Sequence, residues 1–336
     1  MDSAQLPALA TDPSAPGADG PQVEAVDQSP GGPERVRVPF AKGHGTQNDF
    51  VLIYDPDGEL DLTAREVATL CDRRTGIGGD GLIRVVRSHA LPEGRDLPEP
   101  VTWFMDYRNG DGSSAQMCGN GIRVFVAYLE RLGLVSLGEG DRLLVGTRAG
   151  VKTVRRDGDR YAADLGPWRV VGGPEAARDG FDARVEVTGA DVPLVGLSID
   201  VGNPHVVVAV PSVEGLRALD LRRAPLVHPE PADGTNVEIV VPRHNPAHDT
   251  GDLVMRVFER GVGETRSCGT GAVAAALAAR VWGGPQAPDD WTVTVPGGRL
   301  TVRVPAGAGL SGDGVELSGP ATIVATGVLD DWPPQR

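Results

Sequence analysis

One short pattern occurs twice in the chain, as Cys118-Gly119-Asn120-Gly121 and as Cys268-Gly269-Thr270-Gly271. Each copy precedes an apolar stretch of helical length, Ile122 to Leu132 and Ala272 to Trp282. Glycines followed by a long apolar run predict a tight turn feeding a buried helix. A cysteine then stands at each helix start. There, backbone N–H groups lack intrahelical partners and the macrodipole is positive. Such a place favours a bound carboxylate and a thiolate. Two such elements facing one another would put two activatable thiols on opposite sides of one bound anion. One could take a proton from a carbon while the other returns one to the opposite face. That is the chemistry of a racemase or epimerase that needs no cofactor. A single cysteine in this setting reads more simply as a small core thiol; the repetition of the whole element argues against that for both.

The repetition extends beyond the turns. Gly45-Thr46-Gln47-Asn48-Asp49-Phe50-Val51 is echoed by Gly234-Thr235-Asn236-Val237-Glu238-Ile239-Val240, an asparagine entering an apolar strand in both. Each half holds an Asn-strand element, a strand and loop, and a Cys-Gly-x-Gly helix, the mark of an internal duplication. Duplicated halves place ligand sites at their interface. Residues 1–35, rich in Ala, Pro, Gly and Asp, read as a disordered acidic tail. The first domain is expected over 36–165, ending at Gly166-Pro167, with a returning strand at about 320–331, and the second over 166–319. Thr63 with Glu66 forms a capping box, and Cys71 falls on the apolar face of the helix that follows. Gly76-Ile77-Gly78-Gly79-Asp80-Gly81 matches the spacing of a dinucleotide fingerprint. Here, however, a helix precedes it and a strand follows, the reverse of the required context. Asn48 suits a ligand contact or an Asx turn equally well. His205, in Gly202-Asn203-Pro204-His205 between apolar strands, reads more simply as a structural hydrogen-bonder.

Composition narrows the function classes. A net charge of -14 over 336 residues argues against binding a phosphate backbone. No apolar run is long enough to span a membrane, and no signal peptide is visible, so a cytoplasmic location is expected. Three cysteines without a CxxC pair make a poor disulfide scaffold and a poor zinc site. The six histidines are not at ligand spacing with them, and no metal is expected. A related racemase acting on proline, hydroxyproline or histidine, and an amino-acid binding protein on the same fold, are the competing readings. The second would require no reactive thiols.

These residues resemble the diaminopimelate epimerase family of cofactor-independent cysteine racemases. The markers are Asn48-Asp49-Phe50, Gly76-Ile77-Gly78, Asn109-Gly110-Asp111-Gly112-Ser113, Gly202-Asn203-Pro204-His205, Glu259-Arg260-Gly261-Val262-Gly263-Glu264-Thr265 and the two Cys-Gly-x-Gly turns. They run in order through residues 36 to 330. The resemblance implies two pseudo-symmetric α/β (α+β) domains, each a curled, mostly antiparallel sheet or barrel around a central helix, with the site in the cleft. It implies inversion at one α-carbon between LL- and meso-diaminopimelate, in lysine and peptidoglycan-precursor biosynthesis, by a homodimer without cofactor. Cys118 and Cys268 would be the catalytic pair, Cys118 donating and Cys268 accepting the proton in the LL-to-meso direction. The N–H groups of Gly119, Asn120, Gly269 and Thr270 would bind the α-carboxylate. Asn48, Asn109, Asn203 and Asn236 would hold the polar ends of the substrate. Arg260 would pair with the distal carboxylate and Glu259 with an ammonium group, while His205 and Glu259 would tune the thiols. Several members carry a substrate-contacting glutamine where this chain has Gly81, so that contact is lost, moved or taken over by water.

Overall fold

The computed structural model describes residues 24–26, 35–98, 100–245 and 249–332. They divide into two compact units: the described residues up to Ala163 together with those from Pro320, and Asp164–Gly319. In the first unit the strands lie side by side in the order Thr322–Trp332, Arg35–Gly45, Asn48–Tyr54, Gly81–Arg87, Trp103–Asn109, Arg142–Thr147, Gly150–Asp157 and Arg160–Asp164. Helix Gly119–Arg131 touches Thr322–Trp332 at one end of that order and Gly150–Asp157 near the other, so the sheet curls around it. In the second unit the order is Ala183–Glu186, Leu194–Asp200, Pro204–Ala209, Asn236–Asn245, Thr250–Glu259, Asp290–Val295, Gly298–Arg303 and Glu316–Gly319. Helix Gly269–Gly283 packs against six of these strands, from Leu194–Asp200 to Gly298–Arg303. Both helices are buried on nearly every side; the second carries no polar stripe, while the first buries Asn120 and Arg123 among its apolar residues.

The two sheets repeat one series of pairings: antiparallel, antiparallel, parallel, antiparallel, parallel, antiparallel, antiparallel. The duplication is therefore structural, but the sequence echo proposed for it is one strand out of step. Phe50 opposes Gly81 across the first parallel pair of one unit, and His205 opposes Asn236 across that of the other. Asn48 thus corresponds to Asn203, and Asn236 to Gly81. The Gly-Thr-Asn likeness arose because both segments enter buried strands, a local requirement met at two different places.

Before Asn48 the strand runs on through Gly43 to Gly45, and only Thr46 and Gln47 turn, both at positive φ. A Cβ on Gly43 would sit 2.8 Å from Val124 Cγ1, and one on Gly45 would sit 3.1 Å from Arg123 Nη2. These glycines let the strand lie against the Cys118 helix. Of the tail read as disordered, Glu24–Val26 forms a short strand against Arg35–Arg37. There the neighbouring strand Asn48–Tyr54 has not yet begun to pair, which leaves backbone groups open. The rest of that tail lies outside the described residues.

Local signals held where they were purely local. Thr63 and Glu66 make the reciprocal capping box of helix Ala64–Cys71. Cys71 is buried, and burial pushes its thiol up to about 11. The first unit also buries a charge cluster, in which Arg84 pairs with Asp55 and Asp106, and Arg148 with Asp106. Burial opposes the Asp106 charge, but Arg84 and Arg148 prevail and hold its carboxyl below the usual range. Among the described residues no helix is long and apolar enough to cross a membrane.

Candidate active site

Both helices begin earlier than the apolar runs suggest, at Gly119 and Gly269, with the cysteines themselves as N-caps. Cys118 and Cys268 have extended backbones, and each Sγ accepts the N–H three residues on, Gly121 at 3.3 Å and Gly271 at 3.4 Å. The glycines are not a turn before the helix but its first turn. At Gly121 a Cβ would lie 3.2 Å from Cys118 Cβ, and at Gly271 one would lie 3.2 Å from Cys268 Cβ. Glycine keeps the first turn open so that the cap sulfur can reach back over it. The N–H groups of Gly119, Asn120, Gly269 and Thr270 belong to those first turns, where no intrahelical acceptor exists.

Around Cys118 the amides form a chain. Arg123, wholly buried on the same helix, donates from Nη2 to Asn120 Oδ1 at 2.8 Å. Asn120 Nδ2 donates to Asn48 Oδ1 at 3.2 Å, and Asn48 Nδ2 to Asp80 Oδ2 at 2.7 Å. Asp80 is held in turn by Arg73, which also grips Asp49 with both guanidinium nitrogens. Lys42 pairs with Asp49 from the other side. Burial works against the Asp49 charge, but Arg73 and Lys42 outweigh it and hold the carboxyl well below the usual range. The Cys118 thiol lies 3.6 Å from Asn48 Oδ1 and donates to it. Burial pulls the Arg123 guanidinium down to about 10, Cys118 acting in the opposite sense; it remains a cation at neutral pH.

Around Cys268 the partners differ. His205 and Glu238 form a fully buried pair, Nδ1 to Oε1 at 2.8 Å. His205 Nε2 lies 3.0 Å from Asn203 Oδ1, Asn203 Nδ2 donates to Thr270 Oγ1 at 3.4 Å, and Thr270 Oγ1 is 3.6 Å from Cys268 Sγ. Glu259 accepts a short hydrogen bond from Thr265. Burial, then the charges of Glu259 and Glu238, raise the Cys268 thiol well above its ordinary value, while hydrogen bonds from Thr270 and the Gly271 N–H act against them.

Asn236 ties backbone to backbone, donating to Pro204 O at 3.0 Å and accepting the Arg260 N–H at 3.0 Å. It fixes the start of Arg260, whose exposed guanidinium donates to Asp233 O at 2.9 Å. Asn109, also exposed, accepts from the Tyr107 hydroxyl at 3.1 Å and donates to Ser113 Oγ at 3.0 Å. Gly81 has no room for a side chain, because a Cβ there would lie 2.5 Å from Arg108 O and 2.7 Å from the Tyr107 ring. The structure thus groups Asn48 and Asn120 with Cys118, and His205, Asn203, Thr270 and Glu259 with Cys268. Arg123, Asp80, Tyr107 and Glu238 were not singled out from the sequence. A charged residue inside an otherwise apolar run was the available signal for Arg123 and Glu238.

The sequence model of the family described as "Diaminopimelate epimerase" matches residues 40–171 and 197–323. The chain belongs to the diaminopimelate epimerase family. It is 49% identical over 296 residues to the diaminopimelate epimerase of Thermobifida fusca, covering 86% of this chain and 96% of that protein. It is 48% identical over 305 residues to that of Streptomyces coelicolor, covering 88% and 96%. Among solved structures, a phenazine biosynthesis protein of the PhzF family from Bacillus anthracis has a TM-score of 0.59 at 15% identity, covering 87% of this chain and 99% of that one. A hydroxyproline epimerase from Agrobacterium vitis has a TM-score of 0.56 at 16% identity, covering 88% and 94%. At these identities the structures attest the fold of this family member, two curled sheets each around a central helix.

Proposed function

We propose that this member of the diaminopimelate epimerase family interconverts LL-2,6-diaminopimelate and meso-diaminopimelate by moving a proton through Cys118 and Cys268, in lysine and peptidoglycan-precursor biosynthesis. The observation that carries the reading is the duplicated N-cap: both thiols occupy the same first-turn position, in a chain close to half identical to named epimerases. One sulfur, as thiolate, takes the α-proton; the other, as thiol, gives a proton to the opposite face. The electron pair left on the α-carbon spreads into the α-carboxylate. First-turn N–H groups of Gly119, Asn120, Gly269 and Thr270 stabilise that growing charge. Asn48, Asn109, Asn203 and Asn236 hold the polar ends of the substrate, Arg260 takes the distal carboxylate and Glu259 an ammonium group. His205 and Glu259 adjust the thiols. The reading extends to a cytoplasmic homodimer, which light scattering on the purified protein tests.

The deciding measurement is α-hydrogen exchange in D₂O with the reduced protein, LL-diaminopimelate and no added cofactor. Deuterium incorporation accompanied by meso product supports the proposal. Exchange with proline, hydroxyproline or histidine but not with diaminopimelate would keep the two-thiol chemistry and replace the substrate. A protein with free thiols that exchanges none of them would sink the enzyme reading.

A further inference from the structure

The hydrogen-bond chain beside Cys118 ends in permanent charges on both sides. A guanidinium can only donate and an ionised carboxylate can only accept. Arg123 therefore requires the oxygen of Asn120 on its side, which turns the Asn120 NH₂ toward Asn48. Asp80 requires the NH₂ of Asn48, which turns the Asn48 oxygen back toward Asn120 and the Cys118 sulfur. Flipping Asn120 alone would set its NH₂ against the Arg123 guanidinium and its oxygen against that of Asn48; flipping Asn48 alone would set its oxygen against the Asp80 carboxylate and its NH₂ against that of Asn120. Arg123 has no other recourse, since its Nε and Nη1 have no partner among the described residues. Asp80 Oδ2 takes a second donor, the Asp49 N–H at 3.2 Å, so that side of the residue is an acceptor site twice over.

We propose that Arg123 and Asp80 are positioning residues that lock the Asn120 and Asn48 amides in one orientation, keeping the Asn48 oxygen on the Cys118 thiol. The locked acceptor favours the protonated sulfur over the thiolate, and so acts against the Gly121 N–H, which donates to the same sulfur. The proposal rests on the two-thiol reading for its meaning, but not for its test. Charged groups that bear on this chain are Arg123 on the Cys118 helix, Asp49 on strand Asn48–Tyr54, Lys42 on strand Arg35–Gly45, and Arg73 and Asp80 in the segment between helix Ala64–Cys71 and strand Gly81–Arg87. The Arg123 charge itself favours the thiolate through space, opposite to the lock. The informative end is therefore Asp80.

The test is the pH dependence of iodoacetamide alkylation in the full-length protein, followed separately at Cys118 and Cys268 by peptide mass spectrometry. In Asp80→Ala the Asn48 amide is free to flip and offer its NH₂ to sulfur. The Cys118 midpoint is expected to fall by about one pH unit, a tenfold rise in thiolate fraction below it, with Cys268 unmoved. Asp80→Asn loses the charge but keeps an oxygen for Asn48, and is expected to restore the wild-type midpoint. A loosened structure would change the limiting rate without moving the midpoint. An unmoved midpoint in Asp80→Ala, or an equal shift in Asp80→Asn, overturns the lock in favour of packing or simple charge. Epimerisation assays on the same samples separate the readings: a shifted midpoint in a protein without α-proton exchange keeps the lock and removes the epimerase.

Discussion

Cys118 and Cys268 cap equivalent helices in equivalent sheets, yet the side chains around them diverge position by position. Where the first unit has Phe50 and Ile83, the second has His205 and Glu238. Ile83 Cδ1 lies 3.3 Å from the point a Cβ on Gly121 would occupy, and Glu238 Oε1 lies 2.6 Å from the same point on Gly271. One helix start rests on a methyl group and the other on a carboxylate. By the same register Asn109, at the end of its strand, matches Glu259. Five residues beyond each cysteine the first helix buries Arg123 and the second Val273. Cys118 thus has a buried cation and neutral amides for company, and Cys268 has two carboxylates and a histidine. A proton can pass through two thiols only while one is charged and the other is not. The duplicated frame supplies symmetry of position, and the divergent side chains break the symmetry of charge. The ends of the amide networks differ too: one runs from the Arg123 guanidinium to the Asp80 carboxylate, whereas Asn203 ends on the imidazole of His205.

Five substitutions probe that contrast. Replacing either thiol, as Cys118→Ala or Cys268→Ala, should cut turnover by about 10³-fold or more while leaving calorimetric binding of diaminopimelate within a few-fold. A single-thiol variant that still inverts within tenfold of wild type would show that the second cap is ornamental. Asp106→Asn removes the buried carboxylate that Arg84 and Arg148 of the first unit share, leaving Arg84 with Asp55 and Arg148 with Glu93, and should cost about 3 kcal/mol there. Amide exchange should report the loss in the first unit before the second, and equal loss in both would deny them separate cores. The sign with pH follows from its depressed carboxyl. The contribution is complete above the unfolded value of about 3.9 and disappears as pH falls through the folded one. Glu259→Gln removes a charge that raises the Cys268 thiol, so its alkylation midpoint should fall with Cys118 unchanged. Thr270→Val removes a hydrogen bond that stabilises the same thiolate, and the midpoint should rise. Shifts of the opposite sign in these last two would refute the assignment of causes at Cys268.

What the amino-acid order determined by itself was local: two cysteine caps before apolar helices, the Thr63 capping box and the burial of Cys71. Each depends on residues within a turn or two of one another, where spacing alone sets geometry. Gly43 and Gly45, by contrast, serve a helix that lies far along the chain. Tertiary structure decided which asparagines correspond, why Gly81 carries no side chain, and what surrounds each thiol. Asn48 meets Asp80 and Asn120 across 32 and 72 residues of chain, and His205 meets Glu238 across 33. No periodicity records such meetings, because the orientation of an amide and the charge state of a thiol depend on groups that only strand register brings within hydrogen-bond reach.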